Sequence, residues 1–411
     1  MVELEKIQSP DDVKQLDKRE LPELCTQLRQ KMIETVARNG GHLSSNLGAV
    51  ELTVALHRVF STPHDVIVWD VGHQCYAHKL LTGRYDRFDT LRKKGGVAGF
   101  PRPAESEHDS FIVGHSSTSI SVANGIAKAK ELTGDDGYTV AVIGDGALTG
   151  GLAYEGLSNA GRSDDRLLVI LNDNKMSISQ NVGFVARYLA HLRTRVRYVH
   201  WKQRLTNFLS RVPLVGRPLN RWLHNWKKRL KRSVFASTSY FENMGFYYMG
   251  PVDGHNLEDL TQAMTAAKSV DRPVLLHVAT VKGKGYLFAE KTPDVYHGVG
   301  GFDPKTGAAA PGKPNFSAVF GETLCGLAAE DDRIVSITAA MKKGTCLDAF
   351  AQQYPTRFFD VGIAEEHAVT FASGMASGGL LPVFAVYSTF LQRSYDQLIN
   401  DTALMHTHIV L

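Results

Sequence analysis

Two short polar segments carry residue types that could hold a metal ion beside a diphosphate. Gly144-Asp145-Gly146-Ala147 follows an apolar run at residues 139–143, and Asn172-Asp173-Asn174-Lys175-Met176 follows a second apolar run at residues 167–171. Carboxylate and amide oxygens are hard donors that suit Mg²⁺, which takes one or two protein ligands and completes its octahedron with phosphate and water. We therefore predict a metal-assisted diphosphate site formed by these two segments.

The elements that must position this site are two strands and the helix between them. Residues 148–160 have helical character, so the apolar runs should be neighbouring parallel strands whose carboxyl ends meet at one edge of a sheet, where open α/β sheets bind ligands. A lone Gly-Asp-Gly is more often a tight turn. Gly144, Gly146 and Gly150 are also spaced one residue too widely for the dinucleotide-binding pattern. The complete order of motifs is more specific than either half.

The turn Gly114-His115-Ser116 could bind an anion. It follows the apolar residues 111–113 and precedes an alanine-rich helix predicted at residues 120–132. Small residues at a helix N-terminus expose backbone N–H groups, and the helix dipole there favours phosphate. A simple N-cap by Ser116 or Ser117 is the alternative, although it would not explain the glycine-histidine pair.

Two further histidines lie in glycine-containing loops. His73 follows a strand predicted at residues 66–71, and His42 lies in the glycine- and serine-rich segment 40–48 between two predicted helices. Such a loop is poorly placed for core packing. For His42, loop capping and a role in proton transfer or substrate orientation are both open, since imidazole titrates near neutral pH.

These motifs resemble the thiamine-diphosphate signature, and over nearly the whole chain the sequence resembles the 1-deoxy-D-xylulose-5-phosphate synthase family of transketolase-like enzymes. The resemblance implies thiamine diphosphate and Mg²⁺ as cofactors. It implies that Asp145, Asn174 and Met176 are the metal ligands. The residues that it implies to contact thiamine diphosphate are His73, Gly114, His115, Ser116, Gly146, Ala147, Asn174, Tyr286, Glu365 and Phe390.

The resemblance also implies three catalytic residues, Glu365, His42 and His297. Glu365 follows a strand predicted at residues 358–361 and would bond to the aminopyrimidine ring of the cofactor, whereas favouring the helix dipole is its simpler explanation. The family usually has glutamine where this chain has Glu366, and adjacent carboxylates can perturb each other's pKa. For His297 the alternative is an ordinary surface loop.

Substrate contacts are implied for His42, Tyr387 and Arg393. Phe390, in the same segment as Tyr387 and Arg393, would stack on the aminopyrimidine. The simpler explanation is that Phe390 belongs to the core and Arg393 is a surface charge.

Composition is typical of an ordinary globular protein, with 43% hydrophobic and 21% charged residues in 411. The four cysteines show no CxxC pairing or zinc spacing and fit reduced thiols of a cytosolic protein. We find no signal peptide and no apolar run long enough to cross a membrane. We therefore expect a cytoplasmic protein with no membrane partner.

We expect an α/β protein with the parallel-sheet thiamine-diphosphate-binding fold. Residues 1–312 would form a complete diphosphate-binding domain, with Gly250 to His255 as a turn, and residues 313–411 the N-terminal part of a pyrimidine-binding domain. Residues 408–411 look like the start of a buried strand, so we expect a truncated form that lacks the C-terminal domain. The resemblance implies a homodimer.

A basic insertion at about residues 183–235 interrupts the first domain. Its residues 187–232 contain fourteen Lys or Arg, no Asp or Glu, and three tryptophans. A membrane-surface or nucleic-acid-binding segment is one interpretation. We favour a solvated, mobile insertion whose positive field attracts anionic substrates, because Pro213, Gly216 and Pro218 interrupt any amphipathic period. Nucleic acid is therefore not an expected partner.

The implied reaction is transfer of a two-carbon, acetyl-level unit from pyruvate, with decarboxylation, to D-glyceraldehyde 3-phosphate. Its products would be CO₂ and 1-deoxy-D-xylulose 5-phosphate, in the first step of the non-mevalonate isoprenoid pathway and a feed into thiamine and pyridoxal biosynthesis. Three alternatives stay open: a transketolase-like enzyme with a sugar-phosphate donor, a non-catalytic cofactor-binding fragment, and a nucleic-acid- or membrane-binding protein that acts through the basic segment.

Overall fold

A computed structural model describes residues 2–174, 188, 240–308 and 315–411. The predicted metal ligand Met176 lies outside these residues, and so does the basic segment apart from residue 188. Within the described part, the expected α/β fold with parallel sheets is confirmed.

The first sheet has five parallel strands in the order β1-β2-β3-β5-β4. Gly144 at the end of β2 pairs with Asn172 near the end of β3, so the two polar segments meet at one edge, as predicted. The strands are β1 (Val66–Trp69), β2 (Thr139–Gly144), β3 (Leu167–Asp173), β4 (Tyr247–Asp253) and β5 (Val274–Ala279).

Helices cover both faces of this sheet. Alternate strand residues face opposite cores: Val140 and Val142 pack in one cluster, while Ala141 and Ile143 pack in the other. Burial on both faces explains why the strands are continuous apolar runs. The helices are α1 (Pro10–Gln15), α2 (Leu21–Asn39), α3 (Ser44–Gly48), α4 (Val50–Val59), α5 (Tyr76–Leu81), α6 (Ser119–Thr133), α7 (Gly151–Ala160), α8 (Tyr240–Asn243), α9 (Leu257–Ala267) and α10 (Leu287–Lys291).

The prediction of a turn at Gly250 to His255 is wrong for the first four of these residues, which belong to β4. The register with β5 shifts between Met249 and Val252, and the sheet continues to Asp253. Glycine-proline is a turn signal in sequence, but an edge strand tolerates both residues at an irregularity. Gly250 has φ +115°, and a Cβ there would meet the His277 carbonyl oxygen, so the backbone approach itself requires glycine.

The second sheet is smaller and also parallel, with the order β7-β6-β8. Its strands are β6 (Ile334–Thr338), β7 (Phe358–Asp360) and β8 (Leu381–Ala385). Its helices are α11 (Phe316–Glu330), α12 (Asp348–Gln353), α13 (Glu365–Ser377), α14 (Ser388–Leu391) and α15 (Tyr395–Gln397).

Residues 408–411 begin to pair with β8, as the start of a strand would, but the expected burial is wrong. A single parallel bridge joins Val410 to Val383, and Val410 is 46% exposed. One bridge on one side does not bury the side chains. Among the described helices, none combines the length and apolar character needed to cross a bilayer.

Candidate active site

The predicted metal-binding segments lie together at the carboxyl ends of β2 and β3. Asp145 is buried, and its backbone N–H donates to the Asn172 carbonyl at 3.2 Å. Asn174 follows the last residue of β3. The side-chain oxygen of Asn172 accepts a hydrogen bond from the Thr280 hydroxyl at 2.6 Å, so Asn172 secures the strand end. Asp145 and Asn174 remain the predicted oxygen ligands.

The turn before α6 is organised by Asp70, which sequence reasoning did not single out. Its buried carboxylate accepts hydrogen bonds from the backbone N–H groups of Ser117, at 2.8 Å, and Ser119, at 3.0 Å. Burial raises the pKa of Asp70, and these two bonds oppose the rise. The N-cap residue is Thr118 and makes no side-chain cap bond, so the N-cap alternative for Ser116 or Ser117 is wrong. An acid from the neighbouring strand caps the helix instead.

The same turn is joined to the end of β2. Ser117 has φ +69°, and its hydroxyl donates to the Ala147 carbonyl at 2.7 Å. The predicted phosphate-binding turns at Gly114–Ser116 and Gly146–Ala147 are therefore adjacent.

Three histidines from distant parts of the chain form one cluster. The ring centroids of His42, His73 and His297 are separated by 5.8, 5.7 and 5.2 Å. Asn46 holds two of the loops together, because its amide donates to the carbonyls of His42, at 2.6 Å, and His73, at 2.7 Å. Asn46 is a second residue that sequence reasoning missed.

His297 does not lie in an ordinary surface loop. Gly41 and Val299 form an antiparallel bridge, and the backbone N–H of Ser44 donates to the Tyr296 carbonyl at 3.0 Å. The Ser45 hydroxyl lies 3.4 Å from Nδ1 of His297. The loop that carries His42 therefore holds His297 in place.

All three imidazoles are neutral at pH 7. Burial lowers the pKa of His42 to about 4, and the charges of Arg92 and Lys282 act in the same direction. Burial also lowers the pKa values of His73 and His297 well below the ordinary value. Within the described structure, Nδ1 of His42 and Nδ1 of His73 are buried without a hydrogen-bond partner. The cluster thus offers neutral polar atoms rather than groups that titrate near neutrality.

Lys282 is a buried lysine that interacts electrostatically with Asp145 and with the histidine cluster. Burial lowers its pKa to about 8, while the negative charges of Asp145 and Asp294 oppose this shift. Lys282 follows the end of β5, in the segment Lys282-Gly283-Lys284-Gly285. This position could have identified it from the sequence as a candidate site residue, because the carboxyl end of β5 lies at the same sheet edge as Asp145.

Tyr286 belongs to an aromatic group within the core. Its ring lies 5.7 Å from Tyr296 and 6.0 Å from Phe302, and its hydroxyl donates to the Pro304 carbonyl at 3.0 Å. Its contact with a cofactor stays a prediction.

Glu365 is the first residue of α13 and is 4% exposed. Burial raises its pKa; Arg393, whose Nη1 lies 3.7 Å from Oε2, lowers it, and Glu366 raises it by a smaller effect. Oε2 has no hydrogen-bond partner in the described structure. The concern about two adjacent carboxylates is therefore real but secondary to burial.

Arg393 joins the second sheet to the first within one chain. Its guanidinium donates to the Ser116 hydroxyl at 3.2 Å and also bonds the Ser116 carbonyl. The interpretation of Arg393 as a mere surface charge is wrong. Phe390, which is only half-buried, packs edge-on against His115 with ring centroids 5.5 Å apart. Phe390 therefore contacts the predicted phosphate-binding turn rather than filling a core.

Tyr387 lies at the open side of this contact. Its side chain is 48% exposed, and its ring stacks on Phe390 with centroids 6.1 Å apart. A second contact between the two parts of the chain is an ion pair between Lys343, which follows β6, and Asp294, three residues before His297.

Comparison with known proteins identifies the family. Residues 4–280 match the family described as 1-deoxy-D-xylulose-5-phosphate synthase, and residues 312–411 match the transketolase pyrimidine-binding domain. The chain belongs to the 1-deoxy-D-xylulose-5-phosphate synthase family. The pyrimidine-binding match contains Glu365, Phe390 and Arg393.

Curated relatives agree with this assignment. The 1-deoxy-D-xylulose-5-phosphate synthase of Caldanaerobacter subterraneus subsp. tengcongensis is 52% identical over 408 residues, which cover 99% of this chain and 65% of the relative. The 1-deoxy-D-xylulose-5-phosphate synthase of Treponema pallidum is 54% identical over 408 residues, with the same coverage. The chain thus spans about two thirds of the length of these synthases.

Among solved structures, transketolase from Campylobacter jejuni matches with a TM-score of 0.51 and 19% identity, over 96% of this chain and 69% of that chain. This likeness concerns the fold alone. It places a member of the 1-deoxy-D-xylulose-5-phosphate synthase family on the transketolase fold.

Proposed function

We propose that this protein transfers an acetyl-level, two-carbon unit from pyruvate to D-glyceraldehyde 3-phosphate, with loss of CO₂, and forms 1-deoxy-D-xylulose 5-phosphate. The product would enter non-mevalonate isoprenoid synthesis and supply thiamine and pyridoxal biosynthesis. One observation carries the proposal: Arg393 links the buried Glu365 to Ser116 in the same chain. This supports the proposal because it brings the proposed acid–base residue close to the proposed phosphate-binding turn.

Mg²⁺ is the proposed metal, with Asp145 and Asn174 as ligands. A buried carboxylate and an amide at one sheet edge match the hard oxygen donors that Mg²⁺ prefers. The third proposed ligand, Met176, lies outside the described residues.

Thiamine diphosphate is the proposed cofactor, and the described residues fit it. The buried, unpartnered Nδ1 of His73 and the buried positive charge of Lys282 suit a diphosphate beside the metal. When bound, this cofactor supplies an electron sink for the carbanion that decarboxylation leaves. The further proposed contacts are Gly114, His115, Ser116, Gly146, Ala147, Tyr286 and Phe390.

Glu365 is proposed to exchange a proton with a ring nitrogen of the pyrimidine. Because burial raises its pKa, the carboxyl group holds a proton more readily than an exposed glutamate does. Its Oε2, which accepts no hydrogen bond within the described structure, is available for this bond. Phe390, beside His115, would lie against the pyrimidine ring.

The substrates are proposed to lie between the histidine cluster and the second sheet. His42 and His297 are neutral, so each can donate a hydrogen bond from one ring nitrogen and accept a hydrogen bond at the other. Arg393 and the exposed Tyr387 would contact the anionic substrate groups from the opposite side.

We also propose a homodimer, a cytoplasmic location and a boundary between domains at residues 312 and 313. Ile112, 69% exposed, and Leu152, 39% exposed, line an open apolar cavity beside the Gly114–His115 turn, and exposed apolar patches of this kind are common at interfaces. The four cysteines are free thiols, as expected in a reducing compartment.

The decisive experiment is a titration with thiamine diphosphate in the presence and absence of Mg²⁺, followed by an assay for pyruvate-dependent CO₂ release. We expect Mg²⁺-dependent binding, and CO₂ release that Glu365→Gln abolishes. Failure to bind with Mg²⁺ present would refute the cofactor assignment. Binding without CO₂ release would favour a cofactor-binding fragment, and product formation from xylulose 5-phosphate instead of pyruvate would favour a transketolase.

A further inference from the structure

A row of three hydrogen-bonded side chains, two of them fully buried, supports the end of β3. His277 on β5 lies with Nε2 2.9 Å from the Asp173 carboxylate and Nδ1 2.9 Å from the Tyr248 hydroxyl. A carboxylate can only accept, so Nε2 of His277 donates to Asp173, and in a neutral ring Nδ1 then accepts from the Tyr248 hydroxyl. The row is therefore directional: the tyrosine donates to the histidine, which donates to the aspartate.

Two members of this row, Asp173 and His277, are isolated from water, and Tyr248 is partly buried. Asp173 and His277 have no appreciable exposure, and the Tyr248 ring stacks on the buried Phe241 with centroids 5.9 Å apart and planes 6° apart. In such a low-dielectric setting a satisfied hydrogen-bond network holds its members in one arrangement.

Thr280, which follows β5, forms two further hydrogen bonds to the end of β3. The Thr280 hydroxyl donates to the side-chain oxygen of Asn172 at 2.6 Å, and the Thr280 backbone N–H donates to the Asp173 carbonyl at 3.0 Å. Asp173, the residue before Asn174, is thus held through its carboxylate by His277 and through its carbonyl by Thr280.

We propose that His277 is a positioning residue that orients the Asn172–Asn174 segment for Mg²⁺ by fixing the Asp173 carboxylate. This inference rests on the proposed function, because it assumes a metal ligand at Asn174. Mg²⁺ demands near-ideal octahedral geometry, so a ligand that is free to shift loses affinity. Removing a residue that hydrogen-bonds to a metal ligand and orients it typically lowers the metal affinity 10–100-fold. His277 touches the segment that carries the ligand rather than the proposed ligand itself.

The test measures the Mg²⁺ dissociation constant by titrating MgCl₂ into apoprotein at saturating thiamine diphosphate and following intrinsic fluorescence. We expect His277→Leu to raise this constant about tenfold, the lower end of the range for groups bonded directly to a ligand, because His277 acts through Asp173. Tyr248→Phe removes the hydrogen bond between the Tyr248 hydroxyl and Nδ1 of His277 and should raise the Mg²⁺ dissociation constant roughly fivefold. His277→Gln keeps an N–H donor for Asp173 and should recover part of the loss.

The matched control is His57→Leu. His57 is also fully buried, lies on α4 and hydrogen-bonds to His78 at 2.9 Å, away from β3. Its loss should lower thermal stability and leave the Mg²⁺ dissociation constant unchanged. A purely structural role for His277 would make the two histidine variants alike in both measurements.

An unchanged Mg²⁺ dissociation constant in folded His277→Leu would overturn the inference. If that variant does not fold, Tyr248→Phe, which keeps the aromatic ring, decides by the same criterion. A wild-type protein without Mg²⁺-dependent binding would instead refute the proposed function, and the inference with it. A wild type that binds while the variants bind equally well refutes the inference alone.

Discussion

Asp109→Asn removes the central anion of a charge network buried behind the histidine cluster. The Asp109 carboxylate accepts hydrogen bonds from the His78 ring at 2.9 Å, the Arg84 guanidinium at 2.7 Å and the Arg102 backbone N–H at 2.8 Å. Lys79 Nζ lies 3.5 Å away, with no solvent exposure. Asparagine keeps the shape of the side chain but leaves two buried cations with Glu105 as their remaining anion.

The magnitude follows from this burial. Removing one partner of a buried ion pair costs about 3–5 kcal/mol, because the remaining charge has neither water nor a counter-ion. Asparagine retains an acceptor oxygen, so we expect a loss near 3 kcal/mol, equivalent to a fall in Tm of roughly 5 °C for a cooperative unit of about 300 residues. The loop that holds Phe100 against His42, with ring centroids 5.6 Å apart, should loosen as well, because Arg102 loses a charged acceptor.

The assay is urea unfolding of Asp109→Asn beside Asp89→Asn. Asp89 also pairs with two cations, Lys31 at 3.1 Å and Arg38 at 2.6 Å, but its side chain is 49% exposed. Exposed pairs contribute about 0–1 kcal/mol, so the Asp89 variant should unfold close to the wild type. Equal effects of the two substitutions would refute the argument from burial.

The pH dependence gives a second test of the same reasoning. Burial alone would raise the pKa of Asp109, but hydrogen bonds from His78 and Arg84 outweigh it and hold the pKa well below the ordinary value. A depressed carboxyl pKa stabilises the fold above the unfolded value of about 4, and this stability is lost as pH falls toward the folded value. The wild type should therefore lose stability on acidification below about pH 5 more steeply than Asp109→Asn. Parallel acid profiles would contradict this.

Three further predictions concern the site. Glu365→Gln should unfold at a higher urea concentration than the wild type at pH 8 and at an equal concentration at pH 4. Burial raises the pKa of Glu365, so its ionised form destabilises the fold once the pH exceeds the pKa of the unfolded state. Lower stability of the variant at pH 8 would contradict this. Lys282→Met should raise the dissociation constant for thiamine diphosphate about tenfold, because it removes a buried cation, whereas the exposed neighbour Lys284→Met should not; equal constants in the two variants would argue against a role for Lys282 at the diphosphate. The His42 C2 proton should titrate near pH 4 in apoprotein by NMR, and at higher pH in Lys282→Met; a midpoint near 6.5 would show that the ring is not buried as described.

Motifs at the ends of strands could be predicted from the sequence because their signals are local. An apolar run that stops at glycine and a polar residue defines the end of a strand, and parallel neighbours bring such ends together. This rule placed Asp145 and the segment that begins at Asn172 at one sheet edge, and the structure confirms that pairing; the choice of Asn174 as a ligand came from the family resemblance. The same rule applies to Asp70 and Lys282, which follow β1 and β5, but neither residue stood out among ordinary loop charges. Strand β4 was missed because glycine and proline in an edge strand resemble a turn.

The sequence by itself determined the parallel α/β architecture and the segments that we predict to carry the chemistry, since periodicity and turn residues act over a few positions. Only the tertiary structure brought His42, His73 and His297 within 6 Å and made them neutral, because burial and the charge of Lys282 depend on packing. It also decided that Arg393 reaches Ser116 across 277 residues of sequence. No local pattern encodes such a contact: its energy depends on how the two sheets lie against each other.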